Sequence, residues 1–156
     1  MLSLLVVLAG CNDDVDLSSE VAAATWADNL KDSFGLSPPD WTMIRATNTE
    51  GVSMHGDASF YFEFAVPKAR FESVSAFIDQ CANAGGDKWT VTRLGKNDKL
   101  IDATRCPSWW PFPRSGQCDR VTLHQFTDSS HKAGCGGYDF FLDEANGKLI
   151  VNRWLP

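Results

Sequence analysis

The clearest strand signal in this chain is the stretch Ala58-Ser59-Phe60-Tyr61-Phe62-Glu63-Phe64-Ala65-Val66. Successive side chains of an extended chain point to opposite faces, so its three phenylalanines and its valine share one face. The other face carries a tyrosine, a glutamate and an alanine, and Pro67 follows directly. A period of two with one strongly apolar side predicts a strand that is half buried in a sheet.

Two helices are predicted, one on each side of this strand in the chain. Residues 19–34 can be capped by Ser18 or Ser19 and end at Gly35, with apolar positions in loosely helical spacing. The second helix covers residues 68–82 and ends before two consecutive glycines. Its apolar positions recur every three or four residues and form one buried stripe: Phe71, Val74, Phe77, Ile78 and Cys81.

Five further strands are predicted from short apolar or alternating segments bounded by turn residues. They cover Trp41–Thr47, Lys88–Leu94, Arg120–Phe126, Tyr138–Leu142 and Lys148–Trp154. Asn146-Gly147 supplies the positive-φ residues of a turn between the last two. Because strands and helices do not alternate regularly, we expect an α+β fold: a single antiparallel sheet of about five or six strands with two helices on one face.

Size and charge restrict the classes of function. The chain has 156 residues, the length of one ordinary domain, and carries 20 acidic against 14 basic side chains. A net charge of −6 without a cluster of Lys or Arg disfavours binding to nucleic acid and adsorption to anionic lipid.

The amino-terminal residues resemble the signal of a bacterial lipoprotein precursor. An apolar run broken only by Ser3 ends in Leu8-Ala9-Gly10-Cys11, which resembles the lipobox of such precursors. The run is much shorter than the ~20 apolar residues that a membrane span needs. A buried strand is the alternative interpretation.

The resemblance implies three parts of the chain. Residues 1–10 would be a signal peptide, residues 11–18 the lipidated cysteine with a short, solvated acidic tether, and residues 19–156 a single globular domain. Cys11 would carry fatty acyl chains such as palmitate and anchor the protein in the bacterial cell envelope, with more than one chain needed for a lasting anchor. Because Asn12 rather than an aspartate follows Cys11, we expect the outer membrane, facing the periplasm, in a Gram-negative organism.

The number of cysteines fits this location. Five is odd, and assigning Cys11 to lipid leaves Cys81, Cys106, Cys118 and Cys135, an even set in a compartment that permits disulfides. We therefore expect a disulfide-stapled domain. The pairing Cys81–Cys106 with Cys118–Cys135 is preferred, and Cys106–Cys118 is the main rival local pair. Four buried free thiols are the remaining alternative.

The segment from Cys106 to Cys118 is the most unusual part of the chain after Cys11. Three prolines exclude regular helix and a central strand, and three large aromatic residues lie among them. Trp and Arg are enriched at binding hot spots, so Trp109, Trp110, Phe112 and Arg114 are the candidate contact residues for a protein or glycan partner. In the competing interpretation the loop folds back over a sheet face and its rings are core.

The three histidines give no recognisable catalytic or metal-binding pattern. His55, His124 and His131 show neither a pair four apart on a helix nor a neighbouring CxxC, so we expect no metal and no cofactor. A small envelope hydrolase using His124 or His131 as general base is the alternative function, although no Gly-x-Ser-x-Gly selects a nucleophile.

These observations predict a membrane-anchored envelope lipoprotein that acts as a non-catalytic binding module. An immunity or inhibitor protein, or an accessory of an envelope complex, has this size and location. The expected partners are the lipid bilayer, through acylated Cys11, and a protein or glycan; a purely structural lipoprotein is a third possibility.

Overall fold

The structure is a computed structural model that describes residues 13–50, 58–95, 107, 109, 118–126 and 134–154. Its α-helices are α1 (Ser19–Phe34) and α2 (Phe71–Gly85), with 3₁₀ turns at Lys68–Arg70, Gly86–Lys88 and Glu144–Asn146. Its strands are β1 (Asp13–Asp16), β2 (Thr42–Glu50), β3 (Ala58–Ala65), β4 (Trp89–Leu94), β5 (Asp119–Phe126), β6 (Gly134–Asp143) and β7 (Lys148–Trp154). The expected α+β class with one antiparallel sheet and two helices is confirmed, but the described residues form seven strands, not five or six.

Helix α1 begins and ends as the sequence predicts. The Ser18 hydroxyl accepts a hydrogen bond from the backbone N–H of Val21, 3.4 Å away. Gly35 adopts a left-handed conformation with φ 68° and returns its N–H to the carbonyls of Leu30 and Lys31. A positive φ costs little free energy in glycine, which has no Cβ, so Gly35 fixes the end of the helix.

The sheet order is β1-β2-β3-β7-β6-β5-β4, and every neighbouring pair is antiparallel. The last strand, β7, lies in the centre and hydrogen bonds to β3 on one side and to β6 on the other. The amino-terminal strands and the later strands therefore join through the carboxyl-terminal strand.

Both helices pack on one face of the sheet and cover its aromatic side chains. The Trp26 ring lies 5.2 Å from the Phe62 ring and 5.4 Å from the Phe64 ring, between centroids. At the other end of α1, Phe34 contacts Trp89 and Tyr138. Aromatic pairs at these separations add to the free energy of apolar burial, so this face supplies most of the core.

Strand β1 is the main departure from the expected fold. The residues predicted as an extended, solvated tether pair instead with β2, from Asp13 opposite Glu50 to Asp16 opposite Thr47. Aspartate disfavours strands, so composition gave no signal for this one. Tertiary pairing at the free edge of β2 provides the stabilisation that composition lacks.

In the described part of the chain, neither helix has the length and apolar character required to cross a bilayer.

Candidate functional site

The sheet face opposite the helices is polar, and many of its side chains are nevertheless buried. We call it the polar face. Glu63 is only 1% exposed, and Asp139 and Asn152 are buried as well. These residues alternate along their strands with the aromatic and aliphatic residues of the helix side. Buried polar groups need partners, so their contacts decide what this face can do.

Glu63 joins two cations at the centre of the polar face. Its Oε2 accepts from Arg45 Nε at 2.5 Å, and its Oε1 accepts from Lys148 Nζ at 2.8 Å. Burying a carboxylate costs free energy that only well-placed opposite charges and hydrogen bonds offset. Glu63 thereby fixes the position of the Arg45 guanidinium.

Trp109 is held on the polar face by two of the residues around this carboxylate. Its indole Nε1 donates to Thr47 Oγ1 at 2.7 Å, and the Thr47 hydroxyl donates to Asp16 Oδ1, also at 2.7 Å. The guanidinium of Arg45 lies over the Trp109 ring, 4.4 Å from its centroid, where a cation–π interaction is favourable. The ring is half-buried, so one part is fixed and another stays accessible.

Trp109 also packs beside a small apolar cluster formed by Cys118, Phe141 and Ile150. Trp109 thus lies over the sheet face that the helices leave uncovered, as expected if the loop folds back over the sheet. Trp110, Phe112 and Arg114 lie outside the described residues.

A second ion pair lies farther along the polar face. Asp139 Oδ1 accepts from Arg120 Nε at 3.0 Å, from Arg120 Nη2 at 2.8 Å and from Thr122 Oγ1 at 2.6 Å. Oδ1 of this carboxylate therefore already accepts three hydrogen bonds. The arrangement is a structural link between β5 and β6 and leaves no free base for catalysis at that oxygen.

His124 lies between Thr90 and Gly137 on neighbouring strands. Its ring meets the edge of the Trp154 ring at 5.7 Å between centroids. Among the described residues, no carboxylate or serine forms a hydrogen bond with His124, and no three His, Cys, Asp or Glu residues group as metal ligands. A general base needs such an orienting partner, so the described surroundings of His124 do not favour the hydrolase. His55 and His131 lie outside the described residues.

The cysteines depart from the preferred pairing. Asp119, next to Cys118, pairs with Leu142, whereas Cys135 lies at the other end of β6, where Gln125 pairs with Gly136. Seven residues of strand separate these two ends, which is about 23 Å at ~3.3 Å per residue, whereas a disulfide needs Cα atoms within ~7 Å. The preferred pair Cys118–Cys135 is therefore wrong for this register.

Cys81 is a buried free thiol in the structure, on the helix side of the sheet, so no staple at this position is confirmed. Burial raises the pKa of its thiol to about 12. Cys118 lies on the polar face, so the sheet separates these two residues. Cys11 and Cys106 lie outside the described residues.

Two open clefts flank the amino-terminal end of α2. One of about 530 Å³ is lined by residues that include Lys68, Glu72 and Glu144, and one of about 350 Å³ by residues that include Arg93 and Arg120. Asp119 and Ser75 line both clefts. Their charges are mixed, and among the described residues no carboxylate or histidine forms a hydrogen bond with Ser75, so the polar face with Trp109 is the stronger candidate.

No protein-family model, no curated protein and no solved structure matches this chain. The geometry of the polar face and the resemblance of residues 8–11 to a lipobox are therefore the two indications of function.

Proposed function

We propose that this protein is a lipid-anchored binding module of the bacterial envelope, and that Trp109 on the polar face is an anchor for its partner. The observation that carries the proposal is the double fixation of the half-exposed indole by Thr47 and Arg45. A contact residue that is already held in place loses little side-chain entropy when it binds. Fixed tryptophan and arginine side chains are typical of binding hot spots.

The partner that fits this site is a protein or a glycan. Indole faces stack on sugar rings or on apolar side chains, and Arg45 offers donors that the Glu63 carboxylate does not occupy. The net charge of −6 opposes a nucleic-acid partner. Trp110, Phe112 and Arg114 follow Trp109 closely in the sequence and would extend the same contact.

A disulfide between Cys106 and Cys118 is the staple that we propose. The β5–β6 register excludes Cys118–Cys135, and the sheet separates Cys81 from Cys118. The local rival pair, Cys106–Cys118, would close the aromatic segment into a ring of thirteen residues, 106–118. Such a closure would add rigidity to the proposed contact loop.

The anchor is part of the same proposal. Its support is the lipobox-like Leu8-Ala9-Gly10-Cys11, and acylation would put the domain in the envelope. Mass spectrometry of the native product is expected to show loss of residues 1–10 and added fatty acyl mass on Cys11. An intact, unacylated chain recovered from the cytoplasm would contradict the proposal.

The test of binding compares two half-buried tryptophans on opposite faces. The lipidated protein is used to recover partners from its own envelope, as wild type, Trp109→Ala and Trp41→Ala. Trp41 packs against Phe64 and Phe77 on the helix side, so its replacement also costs packing but leaves the polar face unchanged. We expect capture of the partner to be lost with Trp109→Ala alone; equal loss in both variants would mean that general stability, not contact, governs binding.

A further inference from the structure

Strand β1 leaves almost no free chain between the fold and Cys11. Asp13 is already paired with Glu50 at the edge of the sheet. Two residue steps separate it from Cys11, and they span at most about 7 Å. A group attached to Cys11 therefore stays close to the beginning of β1.

The same edge exposes apolar side chains. Val15 of β1 is 52% exposed, Val21 in the first turn of α1 is 50% exposed, and Ile44 of β2 is 50% exposed. The backbone N–H of Leu17 donates to Ala46, 2.9 Å away, which brings the connection from β1 to α1 against β2 close to Ile44. Of the four large apolar residues found exposed in the described part of the chain, Val15 and Ile44 lie in the two strands at this edge, and Val21 lies in the helix turn that follows β1.

The fourth exposed apolar residue, Val91, provides a reference point on the opposite edge. It is 41% exposed and lies in β4, the last strand of the sheet order. Six strand spacings of ~4.8 Å separate β4 from β1, about 29 Å. The two edges of the sheet are therefore at very different distances from Cys11.

We propose that the β1 edge of the sheet lies against the surface of the bilayer, with Val15, Val21 and Ile44 in contact with lipid and β4 pointing away. This inference rests on the proposed acylation of Cys11. The net charge of −6 disfavours contact with anionic lipid, so the contact depends on the acyl chains and on the exposed apolar side chains.

The orientation also places the proposed contact residue. Trp109 is linked through the Thr47 hydroxyl to Asp16 of β1, so it lies on the half of the polar face that is nearer to the membrane. The partner of the polar face is then a protein or glycan that is itself at the membrane surface.

The test uses two exposed valines on opposite edges as matched positions for a photoreactive residue. The full precursor is expressed in a bacterium that processes lipoproteins, with p-benzoylphenylalanine in place of Val15 or in place of Val91. Acyl mass on Cys11 is checked first. Membranes are then irradiated, and phospholipid adducts of the protein are measured by mass spectrometry.

Phospholipid adducts are expected for the variant with the photoreactive residue at position 15 and are expected to be absent for the variant at position 91. Acylated protein that gives no adduct at position 15, or equal adducts at both positions, would overturn the orientation while leaving the anchor in place. Absence of acyl mass on Cys11 would overturn the anchor and the orientation together. The same pair at positions 44 and 91 repeats the test if the change at position 15 disturbs the pairing of β1.

Discussion

The indole N–H of Trp109 donates to the hydroxyl of Thr47 across 2.7 Å, although 62 positions separate the two residues in the chain. Thr47 is fully buried, and its hydroxyl donates a hydrogen bond to Asp16 of the edge strand. One hydroxyl thus joins the proline- and aromatic-rich segment, the second strand and the strand that follows Cys11. Replacing Thr47 would therefore break the hydrogen-bonded link between Trp109 and the edge strand β1.

Thr47→Val is expected to lower the free energy of unfolding by about 1–3 kcal/mol, because it removes, at nearly unchanged side-chain shape, the hydroxyl that accepts from Trp109 Nε1 and donates to the Asp16 carboxylate. Denaturant unfolding followed by tryptophan fluorescence measures the change. Thr49→Val is the matched control, since Thr49 is buried on the same face but only makes a 3.4 Å hydrogen bond to the Ser59 carbonyl. Equal losses in the two variants would contradict a special role of the Thr47 hydroxyl in joining Trp109 to Asp16.

Glu63→Gln removes the charge that holds Arg45 and Lys148 and is expected to cost about 1.5–3 kcal/mol, the range of hydrogen bonds to charged groups. Both cations remain partly exposed, so water takes over some of their solvation and the cost stays below that of a fully buried pair. Acrylamide quenching of tryptophan fluorescence is expected to increase because Arg45 is no longer fixed over Trp109. Glu72→Gln, at an exposed position in the first turn of α2, should leave the quenching unchanged and cost no more than the ~0.3–1 kcal/mol of a charge at a helix N-terminus.

Local pattern predicted the elements whose stability depends on their own sequence. The alternation of Ala58–Val66 and the capping residues around 19–34 are visible in the chain, and the structure contains both elements. Strand β1 is different, because Asp13–Asp16 has a composition that disfavours strands and depends on β2 for its hydrogen bonds. Pairing between distant segments carries no local signal.

The same limit applies to the candidate site. Composition singled out Trp109, but its partners Arg45 and Thr47 lie more than sixty residues earlier and on a strand whose polar face could not be oriented from the sequence. The preferred disulfide between Cys118 and Cys135 is wrong for a related reason: spacing along the chain does not reveal that the β5–β6 register puts them at opposite ends.

Alkaline pH is expected to destabilise the protein through Cys81 and Tyr138. Burial raises the pKa of the Cys81 thiol from 9.0 to about 12, and it raises the pKa of the Tyr138 hydroxyl above 10.0. The folded state holds these protons more tightly than the unfolded state, so this stabilisation is complete below pH 9 and is lost as pH rises from about 9 towards 12. Each group contributes about 1.4 kcal/mol per pH unit within its window.

The contribution of Cys81 is isolated by Cys81→Ala, with unfolding measured in denaturant at a series of pH values. The variant is expected to keep a constant free energy of unfolding up to about pH 10, where Tyr138 begins to titrate in the unfolded state. A decline between pH 9 and 10 as steep as in the wild type would show that Cys81 is not its source.

Gly137→Ala is expected to cost about 1–3 kcal/mol through overpacking. A Cβ at this position would clash with the Trp154 ring and would lie 2.6 Å from the carbonyl oxygen of Leu123, closer than real Cβ contacts. Thermal unfolding measures the loss. The double variant Gly137→Ala, Trp154→Ala should destabilise less than the sum of the single changes, because the clash with the ring is absent; strict additivity would contradict the predicted contact.

Peptide mapping of the native, non-reduced protein is expected to recover Cys106 and Cys118 in one disulfide-linked fragment and Cys81 as a thiol. The reason is geometric: the β5–β6 register keeps Cys118 away from Cys135, and the sheet separates Cys118 from Cys81. Cys81 should resist alkylation until the protein unfolds, because burial raises its thiol pKa to about 12 and the thiolate is the reactive form. Ser replacement of Cys118 should then leave Cys106 free to react with a maleimide in the folded protein, whereas Ser replacement of Cys135 should not. A fragment linking Cys118 to Cys135 would mean that the β5–β6 register differs from the one described.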